Sequence, residues 1–119
     1  MGMGDVRESV TPKFGLLAPA NQGGTIAVRY FMPWKTHPTM AVTGAQCLAS
    51  CVLTPGTVAQ GLCTPPETGP ATITLEHPTG QIDVVADFER MGDDLMIRSA
   101  GLVRTARLLA RGEVFVPNR

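Results

Sequence analysis

The chain carries no net charge: ten basic and ten acidic residues cancel across its 119 positions. A neutral chain has no electrostatic case for binding nucleic acid or an anionic membrane surface. It also lacks long apolar runs, and none reaches the roughly 18 to 20 residues that a membrane-spanning helix needs. The opening residues, Met1 to Glu8, hold no apolar signal-peptide core. Cysteine is sparse and odd in number, at Cys47, Cys51 and Cys63. Cys47 and Cys51 are four apart, so on a helix they stack on one face without the Cβ approach that a disulfide requires. No C-x-x-C pair or Cys/His spacing suggests zinc or a thiol redox centre, so no metal is expected. Reduced thiols point to a cytoplasmic protein. No fixed-period repeat and no long low-complexity run divides the chain.

Hydrophobic residues make up 44% of the sequence and charged residues 17%, the balance of a globular domain with a core. The rest is organised around residues 37–53. No charge occurs from Pro38 to Leu53, and small residues (Ala41, Gly44, Ala45, Ala49, Ser50) alternate with apolar ones (Val42, Cys47, Leu48, Val52, Leu53). This predicts a helix apolar on nearly every side, hence enclosed by protein. Thr43 is its expected N-cap, and Pro55-Gly56 its stop. The free amides and positive dipole end of a helix start favour an anion, and Gly44 admits a ligand close to the backbone. Lys35, Thr36 and His37 lie just upstream. Two readings stand: a carboxylate or phosphate binds here, or Thr43 only caps the helix and its upstream neighbours are solvated.

Residues 1–12 read as a flexible lead, and residues 13–117 as the domain. Strands are predicted at Lys13–Ala18 and Thr25–Phe31, with Ile26, Val28 and Tyr30 on one face. Trp34 reads as a partly buried loop aromatic near the helix start. Residues 56–62 form a turn or half-strand, and residues 63–70 a Pro/Thr/Gly loop. Thr72–His77 and Gln81–Phe88 alternate around Pro78-Thr79-Gly80 and form the clearest hairpin. Its buried face carries Ile73, Leu75, Ile82, Val84, Ala86 and Phe88, and its exposed face Thr, Glu, Gln and Asp. His77 braces the turn, and Met91 and Met96 fill the core. Gly92–Asp94 is a further turn. Beyond it, Leu102, Val103, Ala106, Leu109 and Ala110 fall at helical spacing, and Glu113–Val116 reads as a strand.

Several motifs occur in a specific order: Lys13-Phe14-Gly15-Leu16-Leu17-Ala18-Pro19, Ile26-Ala27-Val28-Arg29-Tyr30, His37 with Val42-Thr43-Gly44-Ala45, Pro55-Gly56-Thr57-Val58, His77-Pro78-Thr79-Gly80, Arg104-Thr105-Ala106-Arg107 and Gly112-Glu113-Val114-Phe115-Val116-Pro117. Together they resemble the C-terminal half of the PrpF family, over about residues 10 to 117. That family includes 2-methylaconitate isomerase, 4-oxalomesaconate tautomerase and 3-methylitaconate isomerase. The resemblance implies an α+β fold: a single diaminopimelate epimerase-like half, with a curved antiparallel sheet wrapped around one central buried helix. It also implies that the segment from Arg104 to Val116 is a long strand rather than a helix. Arg104, Arg107 and Arg111 would then be solvated or paired on an outer strand.

By the same resemblance, the activity is a cofactor-independent isomerisation or tautomerisation. A 1,3 proton shift moves a double bond in an unsaturated di- or tricarboxylate, and anchors hold the carboxylates while enolate-like charge develops. Lys35, Thr36, His37, Thr43, Gly44 and Ala45 are the expected substrate-binding residues. Two departures matter. Only one half is present, and the family's acid/base residues lie mainly in the other, so this chain alone is expected to be inactive. The place of the epimerase cysteine holds Ala41-Val42, while Cys47 reads as a buried structural thiol. His37 is the one weak candidate for proton transfer. The partners expected are a small carboxylate and an N-terminal domain or a second copy. The alternative function is a stand-alone, self-associating binding module without catalysis.

Overall fold

A computed structural model describes residues 2–92 and 94–117. The elements are β1 (Phe14–Pro19), β2 (Ile26–Phe31), α1 (Val42–Leu53), β3 (Ala71–His77), β4 (Gly80–Met91) and β5 (Asp94–Leu102). The strands form one sheet in the order β1-β2-β3-β4-β5. β1 pairs antiparallel with β2, from Phe14 opposite Phe31 to Pro19 opposite Ile26. The β3–β4 hairpin runs from Ala71 opposite Ala86 to His77 opposite Gly80, and β4 continues antiparallel into β5 with a register slip at Asp87/Phe88. β2 and β3 pair in parallel, Ile26 with Leu75 and Ala27 with Glu76. The sheet is therefore mixed, not antiparallel as expected. The reason is the connection: β2, α1 and β3 form a β-α-β crossover, which returns the chain in the same direction.

Alternation aims Ile26, Val28, Ile73, Leu75, Ile82, Val84, Ala86 and Phe88 at the helix, and all are buried. Against them α1 sets Ala45, Ala49, Val52 and Leu53, also buried. Full burial of one such large apolar side chain is worth about 1.5–3 kcal/mol. Small residues bring the helix close: Leu48 packs at 3.5 Å from where a β-carbon of Gly15 on β1 would lie, and Tyr30 of β2 packs on Gly44. At the other edge the Gln46 amide donates to the Ala100 carbonyl at 2.6 Å. Five strands laid flat would span about 19 Å at ~4.8 Å spacing, wider than a helix of about 10 Å. For both edge strands to touch α1, the sheet must curl around it.

The curl does not close, and several expectations fail for that reason. The gap between β1 and β5 leaves Val42, Thr43 and Cys47 exposed, so α1 is open along one side rather than buried all round. Cys47 is a surface thiol, not a buried one. Residues 103–117 form neither the amphipathic helix nor the long strand that the two readings gave; after the Val103 amide meets the Asp83 carbonyl at 3.0 Å, they run exposed and unpaired. A short helix without a packing face is marginal, and a strand needs a ladder partner; within the described residues the tail has neither. Met91 and Met96 lie on the outer face and are about half exposed. Trp34 is an exposed loop residue whose indole N–H donates to the Arg7 carbonyl at 2.6 Å. The turn expected at Gly92–Asp94 includes Asp93, which lies outside the described residues.

Glu76 overturns the expected polar face of the hairpin. It is buried, and its carboxylate accepts the amides of Asn21 at 2.9 Å, Gln22 at 2.7 Å and Gly24 at 2.8 Å. These bonds, the Asn21 amide foremost and against the opposing pull of burial, hold its carboxyl below the usual range. Glu76 thus ties the β1–β2 turn to β3.

Candidate functional site at the open start of the helix

Four pieces of chain converge on the N-terminal end of α1. β2 delivers Tyr30, and the following loop doubles back on it: Met32 donates to the Lys35 carbonyl at 2.8 Å, and the His37 amide to the Tyr30 carbonyl at 2.7 Å. The β3–β4 turn then fixes the loop, because the Thr79 hydroxyl donates to the Pro38 carbonyl at 3.0 Å. Buried Met40 anchors the last step into the helix. β5 leaves the sheet beside this turn and hands over to Arg104.

The helix begins without a side-chain cap. Its N-cap is Ala41, and Thr43 lies inside the first turn, exposed, rather than at the cap position expected for it. The amide of Ala45 is satisfied by the Ala41 carbonyl at 2.8 Å. The amides of Val42, Thr43 and Gly44 are the ones a helix start leaves without an internal partner. Alanine offers them nothing, so they face the opening with the positive end of the dipole.

His77, at the buried end of β3, accepts the Thr79 amide on Nδ1 at 3.3 Å and braces the turn as expected. Burial lowers its pKa first. The Gln81 backbone opposes this, and the charges of His37, Arg104 and Arg29 lower it further. Arg104 is exposed, in the tail just beyond the end of β5. His37 is half-buried, with its ring edge-on to Tyr30 at a centroid distance of 6.4 Å.

Of the residues singled out from the sequence, His37 and Thr43 come together here; Gly44 and Ala45 are buried, and the room at Gly44 expected for a ligand is filled by the Tyr30 ring. Lys35 and Thr36 sit on the exposed loop turn before His37. Tyr30 and His77 also belong to this end of the molecule; the sequence read Tyr30 as an inward strand residue and His77 as a brace for the turn, and both readings hold. Arg104, read as solvated or paired, is exposed.

A cavity of about 220 Å³ lies at the opposite end of α1, lined by Val52, Leu53, Pro55, Ala59, Cys63 and Arg90 among others. The Arg90 guanidinium is engaged there by the carbonyls of Leu53 at 3.1 Å and Pro66 at 3.3 Å. It closes the helix C-terminus rather than offering a free charge. Among the described residues no cluster of His, Cys, Asp or Glu is arranged to hold a metal, and no helix is long and apolar enough to cross a membrane.

Comparison with known proteins gives this geometry a context. The family described as PrpF protein matches residues 1–117. The chain belongs to the PrpF family. Among relatives, "Putative isomerase YbhH" of Escherichia coli K12 is 42% identical over 117 residues. "(4E)-oxalomesaconate Delta-isomerase" of Novosphingobium sp. KA1 is 41% identical over 116 residues. "4-oxalomesaconate tautomerase" of Pseudomonas putida KT2440 is 38% identical over 116 residues. Each match covers 98% of this chain but only 31–32% of the relative. The chain thus spans about a third of the length of these PrpF-family relatives.

Proposed function

We propose that this chain supplies a carboxylate-binding end of a cofactor-independent, cytoplasmic isomerase or tautomerase with a diaminopimelate epimerase-like fold. The substrate is an unsaturated di- or tricarboxylate whose double bond moves by a 1,3 proton shift. The observation that carries this reading is the uncapped start of α1, with the His37 ring beside it and Arg104 on the tail that leaves β5 near the β3–β4 turn. Relatives named as oxalomesaconate isomerase and tautomerase support it. Proton removal beside a carboxylate puts negative charge on its oxygens, and fixed amides and cations stabilise that charge without reorganising. Thr43 forms the floor of the site above buried Gly44 and Ala45, and Lys35, Thr36 and His37 its loop side. The proton-transferring groups come mainly from sequence beyond this third of the protein.

The test is an amide NMR titration of this chain with cis-aconitate, an unsaturated tricarboxylate. Shifts should concentrate at Val42, Thr43 and Gly44, and Arg104→Gln should weaken binding. An unchanged spectrum at millimolar ligand refutes the reading. Incubation of the chain alone with the same compound in deuterated water should leave it unlabelled.

One observation favours self-association as a second property. The tail from residue 103 to 117 exposes Leu108, Leu109, Val114, Phe115 and Val116, each at least 74% open to solvent. An unpaired extended segment of this kind seeks a sheet edge, and β1 and β5 both offer one. A second copy is the partner this reading supplies. Sedimentation should show a dimer that deletion of residues 104–117 abolishes while the urea midpoint stays unchanged. A strictly monomeric chain at high concentration removes this reading.

A further inference from the structure

Tyr30 is the single tyrosine of the chain. Its residue is only 8% exposed, so it packs as a core side chain. The tip of its ring lies on the first turn of α1: a β-carbon on Gly44 would fall 2.7 Å from Cζ and 2.9 Å from the hydroxyl oxygen. Only a residue without a β-carbon lets the phenol sit there. The hydroxyl has no hydrogen-bond partner among the described residues. Yet among the described residues no fully buried side-chain oxygen or nitrogen is left unsatisfied. The Tyr30 hydroxyl therefore reaches solvent where the helix starts. A phenol buried this deeply normally finds a partner for its hydroxyl. This one instead lies over Gly44 in the first turn of α1, with the His37 ring edge-on to its own ring.

We infer that Tyr30 is a substrate-contacting residue whose hydroxyl donates a hydrogen bond to the carboxylate held at the start of α1. This inference rests on the site reading above and adds to it a rigid side-chain donor. The amides belong to the helix and the cations to mobile side chains. The phenol is held by core packing on its ring, so its direction is set before the ligand arrives. A donor so placed also meets the oxygen on which charge grows as the neighbouring carbon loses its proton.

The single tyrosine makes the test direct. The chain labelled with carbon-13 at the tyrosine Cζ gives one signal, which should move on titration with cis-aconitate. Tyr30→Phe keeps the ring and removes only the hydroxyl. Its urea midpoint should stay at or above that of the parent, while its affinity for cis-aconitate should fall about tenfold or more, as for loss of a hydrogen bond to a charged group. A fixed Cζ signal and an unchanged affinity in Tyr30→Phe, with the Val42–Gly44 amides still responding, overturn the role of Tyr30 and leave the site standing. Silence of those amides in the parent chain removes the site and this inference together.

Discussion

Replacing Gly44 by alanine tests the contact on which the geometry of the helix start depends. In an ordinary helix interior this change is favourable by about 1 kcal/mol, because glycine gives up more backbone entropy. Here the new methyl carbon would lie 2.7 Å from Tyr30 Cζ and 2.8 Å from Cε2. Carbon atoms rest at about 3.5 Å or more, so a gap of roughly 0.8 Å must open. The ring cannot swing away freely, being buried in the core and flanked by His37. Overpacking of this sort costs about 1–3 kcal/mol. The net expectation is a loss of about 0–2 kcal/mol where propensity alone predicts a gain. Urea unfolding resolves that difference, since a slope of about 1–3 kcal/mol per molar turns it into a clear midpoint shift. Tyr30→Leu, which removes the ring, should make Gly44→Ala favourable again. Tyr30→Phe should not, because ring carbons as well as the hydroxyl meet the methyl. Equal effects of Gly44→Ala in the Tyr30 and Tyr30→Leu backgrounds would refute the contact.

Two further outcomes follow from named side chains. The Glu76 carboxyl is lowered by its amide partners, so its ionised form stabilises the fold above the unfolded value of about 4.3, and that stability is lost as pH falls through the lower folded value. The urea midpoint should drop on acidification, and Glu76→Gln should lower the midpoint at pH 7 and flatten the acid limb; an unaltered acid limb in the variant contradicts the clamp. Cys47 lies on the open side of α1, whereas burial and then Cys51 push the Cys63 thiol up. A disulfide reagent at neutral pH should therefore show a fast phase that disappears in Cys47→Ser and a slow one from Cys63; a fast phase surviving in Cys47→Ser would mean that the helix is covered.

What was readable in the residues was local. The β3–β4 hairpin announces itself because alternation and the Pro78-Thr79-Gly80 turn agree, and all six expected inward residues are buried. The helix announces itself through its uncharged run and its Pro55-Gly56 stop, and ends at Leu53. What failed depended on distant chain. Glu76 reads as a surface residue of an alternating strand; its three partners come from 52 to 55 residues away. Cys47 reads as buried because it lies a turn into an uncharged helical run, but its exposure is set by a sheet that stops short of closing.

The sequence by itself determined β1 to β4 and α1, the inward faces of β2, β3 and β4, and membership of the PrpF family, because alternation, turn residues and motif order are properties of neighbours along the chain. Only the tertiary structure decided that the sheet is mixed and open, that the tail stays unpaired, and that a buried phenol emerges beside uncapped amides. Those outcomes depend on how residues far apart in the chain meet around α1, and no local pattern records such distances.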